Sequence, residues 1–427
     1  MNITVVGMGK IGLPLAVSFA LRNHQVIGLD IQEEVVIKIN AGVEPFTGEA
    51  NLGNSLRQAI SSRLFSATTN GHAAISNADV MLVCIPLMLD QLGNPDFTNI
   101  DNLVSEIGMN MKQGALVCFE TTLPVGTTKD RFAVSLETHS GLTVGKDFNV
   151  VFSPERVFTG RVFEDLRKYP KLVGGVTAEC TKRGASFYRS VIDFVPRLDL
   201  DQPNDVWEMK NSTTAEFVKI AETTYRDVNI GLANEFAIYA KKNEVDIYDV
   251  IAAANSQPYS HIHSPGISVG GHCIPVYSKF YSWQNSDAQI VEAARARNLE
   301  MPTRAVTQIK EKFGSLRGMK IAIFGITYRP GVKEIALSGA STLLELLKAE
   351  GAIVYGHDPF FSDDELLSLG FSGAGDLGEV EGIILHTAHS SYKLHYFDVF
   401  TNLRFLYDGR NAFPNLASQV RFSYLSV

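Results

Sequence analysis

The stretch "GISVGGHCIPVYSKFY" (266–281) sets one thiol in a narrow frame, with Gly270 and Gly271 before Cys273 and Pro275 after it. Glycine lacks a Cβ and tolerates positive φ, so it lets a backbone run close to another body, while proline fixes φ. A cysteine on such a loop has two readings. It is a small apolar side chain packed inside, or a nucleophile presented to a substrate. The residue types alone leave both open.

A second stretch has a chemistry of its own. Gly7, Gly9 and Gly12 form G-x-G-x-x-G after "NITVV" and ahead of a helical pattern, and Asp30 ends the next strand 18 positions after Gly12. In this context the glycines predict a tight turn that brings a pyrophosphate to the free N–H groups of a helix start. Asp30 would accept hydrogen bonds from a ribose diol and repel a 2′-phosphate. Ile31 and Gln32 supply no compensating cation, so NAD is expected rather than NADP.

A third feature is a polar stripe. In "TTAEFVKIAETTYRDVNIGLANEF" (213–236), Glu216, Lys219, Thr223 and Arg226 share one helical face, and Phe217, Ile220, Val228 and Leu232 are left for core packing. Taken alone, such a stripe is a solvated face. In a closed site its lysine would stabilise an oxyanion.

The elements that must position these groups can be traced along the chain. "ADVMLVCIP" and "GALVCFETT" continue the alternation of strands and helices begun at residue 2, the mark of a parallel α/β sheet. A long helical pattern from Trp207 to about Lys242 joins two lobes. "GMKIAIFG" (318–325), a helical stretch around 341–350, "AIVYGHD" (352–358) and "GIILHT" (382–387) then repeat the first order of strand, helix, strand ending in Asp, strand. The repeat lacks the full glycine fingerprint, so no dinucleotide is assigned to it. "KEKFGSLRG" marks a boundary ahead of it.

The totals agree. The chain has 427 residues, too many for one core, and 45% apolar residues, enough for several. A net charge of −8 argues against general nucleic-acid binding. Four scattered cysteines show no zinc spacing and fit a reducing cytoplasm. No apolar run reaches the ~18 residues of a membrane span, and the N-terminus reads as a strand rather than a signal peptide.

Together the motifs resemble the nucleotide-sugar 6-dehydrogenases, the UDP-glucose and UDP-N-acetylhexosamine dehydrogenase family. "GMGKIGLP", "ETTLPVGTT", "SPERVFTGR", "AEFVKIAETTYRDVNIGLANE" and "GGHCIP" occur in the family's order, from residue 1 to about 411. "SPERV" and "RDVN" look more like the N-acetylhexosamine branch. The resemblance implies two Rossmann-like domains joined by a long central helix. It divides the chain into an NAD-binding domain (1–205), a helical dimerisation region with the cysteine loop (206–312) and a UDP-binding domain (313–427). It further implies a homodimer, no metal and a role in making uronic acids for polysaccharides. The implied reaction oxidises a C6 alcohol to a carboxylate in two NAD-dependent steps.

By that resemblance Cys273 is the nucleophile, forming a thiohemiacetal and then a thioester. Lys219 would stabilise oxyanions, Glu155 would serve the water step, and Thr122 would hold a water and touch the nicotinamide. Gly7, Gly9, Lys10, Ile11, Gly12 and Asp30 would hold NAD. Arg156, Val157, Arg226, Gly270, Tyr328, Arg329 and Arg410 would meet the UDP-sugar, with Gly270 and Gly271 letting the loop approach it.

Several positions depart from the family pattern. Thr223 stands for an Asn, Tyr277 for an Asp, Ala336 for an Arg and Leu87 for a Thr. Gln257 and Tyr259 replace the His and Arg of the acylamino-sugar loop. Three alternatives follow: a UDP-glucose 6-dehydrogenase, a single-oxidation dehydrogenase in which Cys273 is incidental, and an inactive nucleotide-binding homologue.

Overall fold

Strands formed by short, wholly apolar runs are buried on both faces, as parallel sheets require. In the computed structural model, which describes residues 1–373, 377–393, 397, 399–414, 416 and 421–427, the chain divides into two compact units, Met1–Glu222 and Thr223–Val427.

The strands of the first unit are β1 (Asn2–Val6), β2 (Gln25–Leu29), β3 (Phe65–Thr68), β4 (Val80–Val83), the short β5 (Met88–Leu89) and β6 (Pro95–Asp96), β7 (Leu116–Phe119), β8 (Asn149–Phe152), β9 (Lys171–Gly175) and β10 (Val206–Glu208). Eight of them form one sheet in the order β10-β9-β8-β7-β4-β1-β2-β3, and β5 pairs with β6. Pairing in that sheet is parallel except between β8 and β9. The run β3-β2-β1-β4-β7 is the dinucleotide-binding half expected from the glycine loop. Every residue of β4 and β7 is buried, and the helix Gly12–Ala20 is buried almost all round.

The second unit carries β11 (Lys320–Phe324), β12 (Ile353–His357), β13 (Gly382–Leu385), β14 (Phe405–Asp408) and β15 (Ser423–Ser426), all parallel, in the order β12-β11-β13-β14-β15. The helix Gly339–Ala349 connects β11 to β12, and its start is capped by Ser338. The predicted repeat is therefore present. Each face of this sheet has its own apolar cluster, one centred on Ile321, Ile323 and Ile384, the other on Phe324, Ile383 and Leu385.

The helical pattern beginning at Trp207 is corrected at its start. Val206–Glu208 pairs with β9 as an edge strand, and the helix runs from Ser212 to Lys242. Trp207 belongs to the sheet because its backbone completes the parallel ladder. The long helix crosses the boundary between the two units.

Candidate active site

The glycine loop is built around one contact. Gly7 has φ +93°, and a Cβ at position 12 would lie 1.9 Å from the Gly7 carbonyl oxygen. Only glycine allows this turn to close onto the helix start. A Cβ at Gly9, by contrast, would meet nothing within 4 Å, so the backbone there is open to a ligand. Ile11 precedes the helix without a side-chain cap, and Lys10 and Ile11 are half-buried beside it. Asp30 accepts from Met8 N (2.8 Å) and Gln32 N (2.9 Å), is half-buried, and keeps lone pairs for a diol. These residues fit a dinucleotide.

A buried charge cluster lies at the far end of the same sheet. Lys171, the first residue of β9, donates to Glu120 Oε2 (2.6 Å) and to Glu155 Oε2 (3.0 Å). Tyr188, on the helix Ala178–Val191, donates to Glu120 Oε1 at 2.7 Å. Glu120 directly follows β7, and Thr122, two residues on, is buried. Burial pushes the Glu120 carboxyl up to about 7 despite the Lys171 ammonium beside it, and the Glu155 charge adds to the rise. Glu155 lies below the ordinary carboxylate value: burial would raise it, but Lys171 and the amide of Arg156 outweigh burial.

Glu155 is the centre of a tight turn. Its Oε1 accepts from Arg156 N (2.6 Å) and Val157 N (3.1 Å), and its backbone oxygen accepts from Lys219 Nζ at 2.6 Å. Arg156 pairs with Glu222 at 2.5 Å. Glu155 and Lys219, predicted separately from distant motifs, are thus brought together, with Arg156 and Val157 in the same turn.

The long helix reverses the expected faces. Glu216 and Thr223 are buried, and Lys219 and Arg226 half-buried. Glu216 accepts from Gly126 N (2.6 Å) and Thr128 N (2.7 Å), fixing the loop after "ETTLP" to the helix, and burial raises its carboxyl to about 7. Phe217 and Leu232, expected inside, are 48% and 45% exposed, while Ile220 is buried and Val228 half-buried. Glu216 and Lys219 can leave solvent because backbone groups pair with them, which a solvated face does not need.

In the second unit Cys273 is exposed and stands at the start of the helix Ile274–Ser282, with Pro275 in its first turn. The buried-cysteine reading is therefore excluded. The glycines make close contacts within the second unit. A Cβ at Gly271 (φ +91°) would lie 2.8 Å from the Tyr328 ring, and one at Gly270 would lie 2.6 Å from the Leu337 carbonyl oxygen. Gly271 N also donates to the Ala336 oxygen at 2.8 Å, so the segment that lacks the family's arginine supports the cysteine loop from below. Leu337 is strained at φ +48°, and His272 lies 3.7 Å from Glu334.

Arg410 is used internally. Its guanidinium donates to the His386 oxygen (2.7 Å), the Ser268 oxygen (3.1 Å) and Ser268 Oγ (3.2 Å), which ties the cysteine loop to the end of β14. Arg329 donates to the Tyr328 hydroxyl at 3.2 Å. Gln257 accepts from Tyr259 N at 2.9 Å, and Tyr259 is 92% exposed. Tyr277 packs on Phe280, and Leu87 is buried.

Sequence reasoning missed Glu120 and Lys171, and it missed two loop clamps in "RDVN". Asp227 holds Arg295 (2.8 Å) and Asn298 (2.7 Å), and Asn298 reaches Gly266 N through Asn234. Asn229 bridges the His261 oxygen and His263 N. The one available signal was a charged residue opening the apolar run "KLVGG". Among the described residues no group of His, Cys, Asp or Glu could hold a metal ion, and no helix is long and apolar enough to cross a membrane.

Comparison with known proteins accounts for nearly the whole chain. Residues 1–192, 213–300 and 322–415 match, in turn, the NAD binding, central and UDP binding domains of the UDP-glucose/GDP-mannose dehydrogenase family. The UDP-N-acetyl-D-mannosamine dehydrogenase of Pyrococcus horikoshii is 33% identical over 422 residues, covering 96% of both chains. A solved structure of UDP-D-ManNAc dehydrogenase from that organism superposes with a TM-score of 0.89 at 31% identity, covering 100% of this chain and 99% of the other. A UDP-glucose dehydrogenase from Pyrobaculum islandicum superposes with a TM-score of 0.85 at 26% identity, covering 99% and 96%. With its glycine loop, its Glu155–Lys219 turn and its exposed Cys273 in place, the chain belongs to the UDP-glucose/GDP-mannose dehydrogenase family and is an NAD-dependent oxidoreductase.

Proposed function

We propose that this protein oxidises the C6 hydroxyl of a UDP-N-acetylhexosamine, with UDP-N-acetylmannosamine the first candidate, to the uronate. The observation that carries the substrate is the likeness to a UDP-N-acetyl-D-mannosamine dehydrogenase over 96% of both chains. UDP-glucose, a single oxidation and an inactive homologue are not favoured.

When bound, NAD supplies the hydride acceptor for both oxidations. Lys219, fixed by the Glu155 carbonyl, stabilises negative charge on the C6 oxygen as its proton passes to water and the first C6 hydride leaves to the bound dinucleotide, giving the aldehyde. The Cys273 thiolate then adds to the aldehyde carbon and forms a C–S bond, which keeps the intermediate from escaping. Loss of the remaining C6 hydride converts the adduct to a thioester. Water attacks this carbon, the C–S bond breaks, and the products are a carboxylate and the restored thiol. Glu155 orients and deprotonates that water, and Thr122 holds it near the reacting carbon. Thr223 donates a hydroxyl where an amide is usual. Arg156, Val157, Arg226, Gln257, Tyr259 and Gly270 face the sugar, and Tyr328 and Arg329 face UDP. Arg410 acts by holding the cysteine loop.

The functional division is 1–205 for NAD, 206–312 for dimerisation and the cysteine loop, and 313–427 for UDP. A homodimer through the long helix is supported by Phe217, Tyr225, Leu232, Phe236 and Tyr239, which are 37–70% exposed and share one helical face. We place the enzyme in the cytoplasm, making uronates for a polysaccharide. The test is a panel of UDP-sugars scored by kcat/KM. UDP-N-acetylmannosamine or UDP-N-acetylglucosamine is expected to exceed UDP-glucose, because polar groups built for the acetamide would go unpaired without it. UDP-glucose as the best substrate would overturn the assignment.

A further inference from the structure

We propose that the buried Glu120–Lys171 pair is the positioning element of this site: it anchors the Glu155 turn and, through the Glu155 carbonyl, the Lys219 ammonium. The inference rests on the reading of Lys219 as the group that stabilises the C6 oxyanion.

The argument begins with cost. Lys171 and Glu120 are 4% and 3% exposed, and an isolated buried charge is strongly disfavoured. The sheet needs no ammonium here: β9 is an interior strand that pairs with β8 and β10 through its backbone. The pair is also not closed on itself. Lys171 spans two carboxylates, Glu120 on the loop after β7 and Glu155 on the loop after β8. Tyr188 adds its hydroxyl to Glu120, and its ring lies 5.0 Å from the Lys171 nitrogen. Two sheet loops, strand β9 and one helix are therefore tied together around a single ammonium.

The connection onward is direct. The Glu155 carboxylate has one oxygen on Lys171 and the other on the amides of Arg156 and Val157, so its turn cannot rotate without breaking three hydrogen bonds. The carbonyl of that same residue receives Lys219. A lysine side chain is flexible, and its charge is effective only where the oxyanion forms. A misplacement of about 1 Å can cost on the order of a hundredfold in rate. Lys171 and Glu120 themselves touch no reacting atom in this scheme.

The groups facing Glu120 are Lys171, Glu155 and Tyr188, with Cys118 and Cys84 close behind them and Lys219 across Glu155. Burial raises the Glu120 carboxyl, and the Lys171 ammonium and the Tyr188 hydroxyl oppose that rise.

The test compares Lys171→Met, Lys171→Arg, Glu120→Gln and Lys219→Ala in the full-length enzyme, with UDP-N-acetylmannosamine and NAD. Lys219→Ala checks the underlying reading by itself: a large loss of kcat sustains it, and unchanged kcat removes it. Given that loss, Lys171→Met is expected to lower kcat on the order of a hundredfold with the Kd for NAD unchanged. Lys171→Arg should restore most of the rate, since a guanidinium can also bridge two carboxylates. A folded Lys171→Met with wild-type kcat, or a Lys171→Arg no better than Lys171→Met, overturns the proposal while the role of Lys219 stands. If Lys171→Met does not fold, Glu120→Gln decides. It keeps the shape and removes one of the two charges that hold Lys171, so kcat should fall with the Kd for NAD unchanged. A folded Glu120→Gln with wild-type kcat overturns the proposal.

Discussion

The two sheets start from the same device and finish it differently. In the first unit Gly7 N donates to the Leu29 oxygen (2.8 Å) and Met8 N donates to Asp30 Oδ2 (2.8 Å). In the second, Gly325 N donates to the His357 oxygen (2.8 Å) and Ile326 N donates to Asp358 Oδ2 (2.7 Å). Both glycines have positive φ, and both acids end the neighbouring strand. After Gly7 the chain enters a helix at Gly12, whereas after Gly325 it makes a long excursion and enters one only at Gly339. Asp30 stays half-open. Asp358 is buried, and it also accepts from Thr327 N (3.2 Å) and Phe360 N (3.0 Å) and meets His389 at 3.1 Å. The same backbone frame thus leaves a carboxylate available to a ribose in one unit and consumes it structurally in the other.

That contrast is most easily broken at the helix starts. Gly12→Ala would drive a methyl into the Gly7 carbonyl oxygen, so NAD affinity should fall on the order of a hundredfold, equivalent to about 2.7 kcal/mol. Gly339→Ala would press on Ser268 Cβ at 2.3 Å and should instead cost about 1–3 kcal/mol of stability, leaving NAD affinity unchanged. Calorimetric titration with NAD and thermal unfolding separate the two. Equal loss of NAD affinity in both variants would remove the distinction.

The acids sharpen it. Asp358→Ala leaves buried amides and His389 without their acceptor, so a loss of about 1–3 kcal/mol is expected in denaturant unfolding. Burial would raise the Asp358 pKa, but His389 and the backbone amides outweigh it and hold it below the ordinary value. The stability from this carboxylate is therefore present above the unfolded pKa of about 3.9 and is lost as pH falls through the lower folded value. Asp358→Asn should lack this acid-side loss. The smallest effect belongs to Asp30. Asp30→Ala should weaken NAD about tenfold and reduce the preference for NAD over NADP, read from kcat/KM for each; an unchanged preference would discard Asp30 as the ribose contact.

Much of this was legible in the sequence. The glycine loop announced the first unit because a positive φ and a missing Cβ are properties of residue type. The repeat announced the second because strand-helix-strand order is carried by apolar periodicity. The cysteine loop was legible as a strained, glycine-lined frame. Its partners Tyr328 and Leu337 were not, since they lie more than 50 residues away and meet it only after folding. The long helix was misread for the same reason. Glu216 and Lys219 look solvated until the backbone groups that bury them are in place, and Phe217 looks internal until the rest of the fold leaves it outside. Lys171 carried almost no signal. One cation at the head of an apolar strand is ordinary, and its meaning comes from Glu120 and Glu155 on two other loops.

The central claim is that one thiol carries the sugar through a second oxidation. The most direct measurement is the number of NADH formed per UDP-N-acetylmannosamine consumed, in wild type and in Cys273→Ser, with the product resolved as alcohol, aldehyde or carboxylate. The account predicts two NADH and a carboxylate for the wild type. For Cys273→Ser it predicts a block after the first oxidation, because a serine hydroxyl is far less nucleophilic than a thiolate near neutral pH. One NADH per sugar in the wild type, or two with full carboxylate yield at the wild-type rate from Cys273→Ser, would contradict it.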